Sequence, residues 1–278
     1  MGTLRVAAGQ APATCSAPEL NAATAADLTR QAGVAGARLL ALPEAYLTNY
    51  CPRAFVEPPT VPELLTLLEP VAEAAVAEGV TVVLSAPVDH GTRRSLSSVV
   101  VRPDGAVTVP YDKQYLSGPV ELERFVPGTH GTSVDVEGWE VALSICYDSS
   151  FPEHAQIAAE DGADVYLNSG AFFSGSERRR DVVLAARAVD NCIFTLLAGL
   201  TGECPHTDPT TRFVGGSAVH DPDGEVLAQL EGESGLAVAD LHPEALRAAR
   251  AARPIHAERR STLGARHREV GGQLRGRL

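Results

Sequence analysis

Lysine is all but missing from this chain. Of its 23 basic residues, 22 are arginine and a single one, Lys113, is lysine. A planar, permanently charged guanidinium cannot replace a compact ammonium at a tight site, so the one lysine that remains is a candidate functional residue. Cysteine is scarce as well. Cys15, Cys51, Cys146, Cys192 and Cys204 make an odd number without CxxC spacing, which argues against a disulfide framework and against a zinc site. The eight histidines form no HExxH or HxxxH pair, so chemistry without metal or cofactor is expected. No run approaches the roughly 18 apolar residues of a membrane span. The N-terminal MGTLRVAAGQ has no basic patch ahead of an apolar run, and Val6 stands where a myristoylation signal has Ser or Thr. A cytoplasmic location is the expectation. Aromatic residues are only 5% of the 278, so aliphatic side chains must fill the core.

The formal net charge of −12 disfavours nucleic acid and acidic membrane as partners. It is unevenly spread. The last 33 residues, Leu246 to Leu278, hold nine arginines against Glu258 and Glu269. Such a basic end is either solvated or docked, on the acidic body of its own chain or on a second subunit.

Short apolar runs alternate with helical patterns, with no repeat and no low-complexity linker. LRVAAGQ, ARLLALPE, TVVLSAPV, WEVALSIC, ADVYLNSG, IFTLLAGL and GLAVADL read as strands, the last of these being the final one. Asn21 to Ala35, Pro62 to Glu78 (kinked or broken at Pro70) and ERRRDVVLAARAVDN read as helices, and another starts near Phe151-Pro152-Glu153. Two hairpins turn on Pro-Asp-Gly, at Pro103 to Gly105 and at Pro222 to Gly224. The mixture implies an α/β chain whose mixed sheets are covered by helices. Periodicity does not choose between two sheets packed face to face with helices outside and a three-layer sandwich. In α/β sheets, ligands gather beyond the carboxyl ends of strands.

Three residues stand at such ends. Cys146 closes the strand VALSI just before a helix start, where the helix's positive end favours the thiolate; the alternative is a buried structural cysteine. Glu44 follows RLLAL and Pro43, as either a solvated loop charge or a base whose pKa burial has raised. Lys113 follows AVTVPYD.

Together the segments LPEAYLTNY, YDKQYL and ICYDSSFPE, in that order, resemble the nitrilase superfamily of carbon–nitrogen hydrolases. The likeness continues through PGTHGTSVDVEGWEVALSIC, AARAVDN and FVGGSAVHDPDGEVLA, over about residues 4 to 240. The resemblance implies a four-layer α-β-β-α sandwich of two mixed sheets. It implies one domain over 1–245, a basic C-terminal helix or tail over 246–278, and a homodimer or higher homo-oligomer. The implied activity is hydrolysis of a non-peptide C–N bond in a small-molecule amide. Glu44 would serve as general base, Cys146 as the nucleophile that forms a thioester, and Lys113 with the Tyr147 backbone N–H as oxyanion stabilisers. A second glutamate is expected six residues before Pro127-Gly128, at Glu121, to position the lysine and substrate. Glu123 is the alternative if the polar loop GPVELER is shifted. Asn168 and Phe172 are expected to line the pocket. Asp148 and Glu153 read as structural hydrogen-bond partners around the turn, and Arg187 with Asp190 as a buried ion-pair network.

Tyr147-Asp148 after the nucleophile looks like the amidase and carbamoyl-hydrolase branches rather than the nitrile-cleaving ones, which carry Trp-Glu. Ser149 and Ser150 stand where branches acting on acidic substrates place an arginine. A neutral or cationic amide is therefore expected, with Arg178 to Arg180 read as a solvated helix start rather than a carboxylate site. The competing readings are a nitrilase or N-carbamoyl amine hydrolase of the same superfamily and, from a different class, a catalytically silent binding protein. Intact Glu44, Lys113 and Cys146 speak against the last.

Overall fold

The computed structural model describes residues 1–203, 211–232, 234–260 and 262–263, and the backbone of 267–270 and 273–276. The chain opens with β1 (Leu4–Gln10), α1 (Pro18–Val34), β2 (Leu39–Ala41), α2 (Val61–Leu67), α3 (Glu69–Glu78), β3 (Thr81–Asp89), β4 (Arg94–Val101) and β5 (Val107–Asp112). Then come α4 (Gly118–Arg124), β6 (Ser133–Val136), β7 (Trp139–Ile145), a 3-10 turn (Cys146–Ser150), α5 (Pro152–Glu160), β8 (Val165–Gly170), α6 (Glu177–Asn191) and β9 (Phe194–Gly199). It continues with β10 (Thr201–Glu203), β11 (Arg212–Val214), β12 (Ala218–His220), β13 (Val226–Gln229), β14 (Gly235–Leu241), α7 (Pro243–Ala252), α8 (Ile255–Glu258), β15 (His267–Val270) and β16 (Gln273–Gly276).

Two six-stranded sheets result, in the orders β14-β1-β2-β3-β4-β5 and β13-β12-β9-β8-β7-β6. Each is built around three parallel strands, β1-β2-β3 in one and β7-β8-β9 in the other, with antiparallel strands at the flanks. Their faces separate by the period of two that strands impose. Val6, Leu39, Ala41 and Val83 of the first sheet meet Trp139, Val141, Leu143, Ile145, Val165, Leu167, Phe194 and Leu196 of the second in one apolar layer. The alternate residues point the other way. Ala7, Leu40, Val82 and Leu84 pack under α1, α2 and α3, while Ala142, Tyr166 and Leu197 pack under α5 and α6. Both faces of both sheets are thus buried, and the four-layer order α-β-β-α follows.

The Pro62 to Glu78 pattern proves to be two helices. Thr60 caps α2 in a reciprocal box with Glu63, and Pro70 sits in the first turn of α3, where its missing N–H costs nothing. GPVELER is a helix, α4, rather than a loop; Pro119 in its first turn starts it. GLAVADL is not the last strand, because β15 and β16 pair antiparallel beyond it. The boundary expected at 245/246 falls inside α7, whose Leu246 and Ala249 are buried. Three arginines of the basic end dock on the chain's own acidic groups: Arg250 on Asp164, Arg253 on Asp223 and Arg259 on Glu160. The remainder of that end lies partly outside the described residues, as does Cys204. The cysteine count misled in one respect. Cys15 and Cys51, 36 residues apart, form a disulfide between the loop after β1 and the loop after β2. An odd total excludes complete pairing, not one pair. Among the described residues no helix is long and apolar enough to cross a membrane.

Leu196 lies wholly buried between the sheets. Leu196→Ala is expected to cost about 2–5 kcal/mol through lost burial and the cavity left behind, read as a shift of the urea midpoint at unchanged m-value.

Candidate active site

Strand ends from both sheets deliver the candidate residues to one place. Glu44 leaves β2 of the first sheet through Leu42 and Pro43, and the next residue, Ala45, turns at φ +49°. Lys113 follows β5; its N–H still bonds the Leu96 carbonyl, 2.8 Å, while its own carbonyl accepts from Gly128, 2.9 Å. A side chain at 128 would fall on the Asp112 carbonyl oxygen, which is why the Pro-Gly of this loop needs its glycine. Cys146 follows β7 of the second sheet and opens the 3-10 turn at φ +42°, a left-handed conformation that costs a non-glycine residue and turns the chain out of the strand. The sheets are clasped beside the site by Ser169, at the end of β8, whose Oγ donates to the Leu42 carbonyl at 2.8 Å.

The Lys113 ammonium is fully buried between two carboxylates. Nζ lies 2.6 Å from Glu44 Oε1 and 2.8 Å from Glu121 Oε1, with Glu44 only 1% and Glu121 0% exposed. Glu121 reaches this position because α4 turns one face inward, and its Oε2 accepts from the Ser117 N–H at 2.8 Å. Glu123, two residues further round the same helix, is exposed. Glu44 Oε2 is buried without a conventional hydrogen-bond partner among the described residues, and the Cys146 thiol lies close enough to bond with the Glu44 side chain. Cys146 is partly exposed, the one member of this group that solvent reaches.

Burial pushes the Glu44 carboxyl up to about 7, with Lys113 pulling it down and Glu121 pushing it further up. Burial alone would strip Lys113 of its proton, but Glu44 and Glu121 outweigh it and hold the ammonium above the ordinary lysine range. Burial, joined by the Glu44 charge, pushes the Cys146 thiol well above its usual range, against Lys113 and a hydrogen bond from the Ala171 backbone. With two carboxylates around one ammonium there is no surplus positive charge to stabilise a resting thiolate. The thiol stays protonated until a base takes its proton. Among the described residues, the carboxylate in contact with the thiol is Glu44, poised near neutrality.

The nucleophile turn is braced from several sides. Asp148 accepts from the Ile145 N–H at 2.8 Å, the Tyr111 hydroxyl at 2.6 Å and the Tyr115 N–H at 2.8 Å, so it is structural, as its sequence position suggested. Ser149 Oγ and Asn168 Nδ2 both donate to the Cys146 carbonyl, at 2.7 and 3.4 Å. Asn168 therefore braces the turn from below. The Tyr147 N–H is second in the turn, a position where a helical segment offers no intrahelical acceptor. Phe172 packs instead among the α5 and α6 residues, away from this group. Its neighbour Phe173 lies edge-on to Tyr50 at 5.9 Å.

Arg187 donates to the Ser149 carbonyl at 3.0 Å and pairs with Asp190, whose side chain is half exposed, so only the arginine end is buried. The run Arg178 to Arg180 is not uniformly solvated. Arg180 is 6% exposed and bonds the carbonyls of Val214 and Gly215, while Arg179 donates to Ser150 Oγ at 2.7 Å and lies over the Tyr147 ring. Sequence reading missed Tyr50. Its hydroxyl donates to Glu121 Oε1 at 2.6 Å, the same oxygen that holds Lys113.

Comparison with known proteins bears on this arrangement. The family model described as carbon-nitrogen hydrolase matches residues 5–251. The chain belongs to the carbon–nitrogen hydrolases of the nitrilase superfamily. It is similar to an (R)-stereoselective amidase of Pseudomonas sp, 32% identical with 76% of each chain covered. It is also similar to an omega-amidase of Bos taurus, 30% identical over 95% of this chain and 97% of the other. Among solved structures, the amidase from Nesterenkonia sp. AN1 superposes with a TM-score of 0.81 at 28% identity, covering 94% of this chain and 95% of that one. In that structure the acetamide moiety of fluoroacetamide is added covalently at the active site cysteine of the Nesterenkonia enzyme. This hydrolase thus acts on C–N bonds other than peptide bonds.

The buried and exposed glutamates of α4 separate in a simple assay. Glu121→Gln is expected to lower ammonia release by about tenfold or more, as loss of one charge-positioning contact does, whereas Glu123→Gln leaves it within about twofold.

Proposed function

We propose that this carbon–nitrogen hydrolase cleaves small amides through a thioester on Cys146. Glu44 takes the Cys146 proton as sulfur attacks the amide carbonyl, so the negative charge passes directly from sulfur to the carbonyl oxygen. The Lys113 ammonium and the Tyr147 N–H receive that oxyanion. Glu44, now protonated, gives its proton to the departing nitrogen and ammonia or an amine leaves. Water enters, Glu44 removes a proton from it, and the acid is released from Cys146. Glu121 keeps Lys113 in place throughout, balancing the ammonium when Glu44 is neutral.

One observation carries this reading: a buried carboxyl near pKa 7 with a free oxygen, a neutral thiol beside it and an ammonium bound to its other oxygen. A general base works best when its pKa lies near the working pH. The amidase names of the relatives support amide hydrolysis, and the acetamide adduct on the cysteine of the Nesterenkonia enzyme supports a nucleophilic sulfur. We read the protein as a cytoplasmic homo-oligomer acting on small, neutral or cationic amides, the scarcity of exposed site atoms favouring small substrates.

Ammonia release across aliphatic amides, ω-amides, N-carbamoyl compounds and nitriles tests the substrate class; turnover of nitriles alone overturns it. Cys146→Ala is expected to abolish turnover and Lys113→Arg to lose about 10²-fold or more despite keeping the charge. Because Glu44 acts as a base only when ionised, kcat/KM is expected to climb with pH through about 7 and level off above it. A profile flat from pH 5 to 9 would remove Glu44 from the role. Glu44→Gln is expected to lower turnover by about 10²-fold or more with no acyl mass building up on the Cys146 peptide, because the first proton transfer is lost.

A further inference from the structure

The loops joined by the disulfide are also the loops that carry the general base. Cys15 and Cys51 close a ring of chain that contains Glu44 and, next to Cys51, Tyr50. Tyr50 Oη donates to Glu121 Oε1 at 2.6 Å, and that oxygen accepts from Lys113 Nζ at 2.8 Å. Tyr50 and Lys113 therefore meet on one oxygen of Glu121, one of the two carboxylates that hold the lysine ammonium.

What holds Tyr50 is divided between its two sides. Before it, Ser16 N–H donates to the Thr48 carbonyl at 3.0 Å, Asn49 Nδ2 to the Ala13 carbonyl at 2.7 Å, and Asn21 Nδ2 to the Leu47 carbonyl at 2.9 Å. Its ring rests against Phe55 and Phe173. After it, the ties to the loop following β1 are the bond from Cys51 to Cys15 and a contact of Ser16 Oγ with Cys51 Sγ at 3.9 Å. Cys51 is buried, whereas Cys15 is partly exposed, so a soluble thiol reaches the bond from the Cys15 side.

We propose that the Cys15–Cys51 bond and Tyr50 act as one positioning unit for Glu121 and Lys113, and that opening the bond slows the chemical step. The inference rests on the amidase reading above. Opening is a two-electron exchange with a dithiol: the sulfur–sulfur bond breaks, Cys15 and Cys51 each gain a proton, and the dithiol leaves as its own disulfide. Tyr50 keeps its upstream ties and its aromatic contacts, so the effect is graded rather than total. Displacing the hydrogen-bonded oxygen by a fraction of an ångström is expected to lower kcat about three- to tenfold. KM changes by less than about twofold, since the sulfurs act through Tyr50 and Tyr50 acts through Glu121.

The test uses the full-length protein purified in air, divided into untreated and dithiothreitol-treated portions. Thiols are counted by mass after maleimide labelling, and kcat and KM are measured on an amide that the enzyme turns over. The proposal expects two thiols to appear on treatment, kcat to fall with KM nearly constant, and reoxidation to restore both. Cys15→Ser is expected to show the lowered kcat from the start and no response to the reductant. Tyr50→Phe is expected to lower kcat in the oxidised protein and to respond to the reductant by less than twofold. Two thiols appearing with kcat unchanged or raised overturns the proposal, as do free Cys15 and Cys51 thiols in the untreated protein. A full reductant response in Tyr50→Phe also overturns it, because the effect would then bypass Tyr50. If no amide is turned over, the amidase reading fails on its own. The rate at which iodoacetamide labels Cys146, followed peptide by peptide, then replaces kcat; it must fall on reduction or the positioning unit is refuted as well.

Discussion

The site depends on one buried ammonium shared by two carboxylates. Lys113, Glu44 and Glu121 have left water together, a loss that only close pairing offsets. The grouping explains why the chain retains one lysine among its arginines. An ammonium donates in three directions from a single atom, and two of these go to Glu44 and Glu121. A guanidinium would spread its donors over a plane and push the carboxylates apart. The third direction is what an oxyanion would meet.

The same grouping sets the protonation of the nucleophile. Many reactive cysteines are pre-ionised by a surplus of positive charge. Here the balance around the sulfur is negative, and the thiol is held neutral. In the proposed mechanism, reactivity then belongs to the pair of Cys146 and Glu44 rather than to the sulfur alone. The helix start after Cys146, read from sequence as a source of thiolate stability, contributes less than supposed. A 3-10 turn stands between the sulfur and α5, and burial overrides the dipole.

Much of this was legible in the residues. Strands such as LRVAAGQ and VALSI could be read because apolar runs of that length, bounded by turn residues, have few other uses, and α6 was read from its start to its end. Glu44, Lys113 and Cys146 could be placed at strand ends by the same patterns, and the ordered motifs of the family linked them. What failed was information that is not local. Whether GPVELER forms a helix turns on Glu121 finding Lys113 across the fold, and seven residues rich in charge do not announce this. Cys15 meets Cys51 only after two loops have been brought together by β1 and β2. Phe172 and Phe173 are adjacent and alike, and which ring meets Tyr50 and Phe213 is settled by tertiary packing. Tyr50 itself carries no signal beyond its place in LPEAYLTNY.

The proposed base and nucleophile hang from different sheets, Glu44 from the strand β2 and Cys146 from the strand β7. Nothing in either sheet's own hydrogen-bond ladder governs how far one slides over the other, and an aliphatic layer is a tolerant bearing. The hydroxyl of Ser169 on the Leu42 carbonyl is a directional contact across that bearing, two residues from Glu44. It acts as a detent: the alignment of carboxylate with sulfur is indexed by a bond whose geometry tolerates little travel, and the greasy interior is left to supply adhesion without having to supply aim.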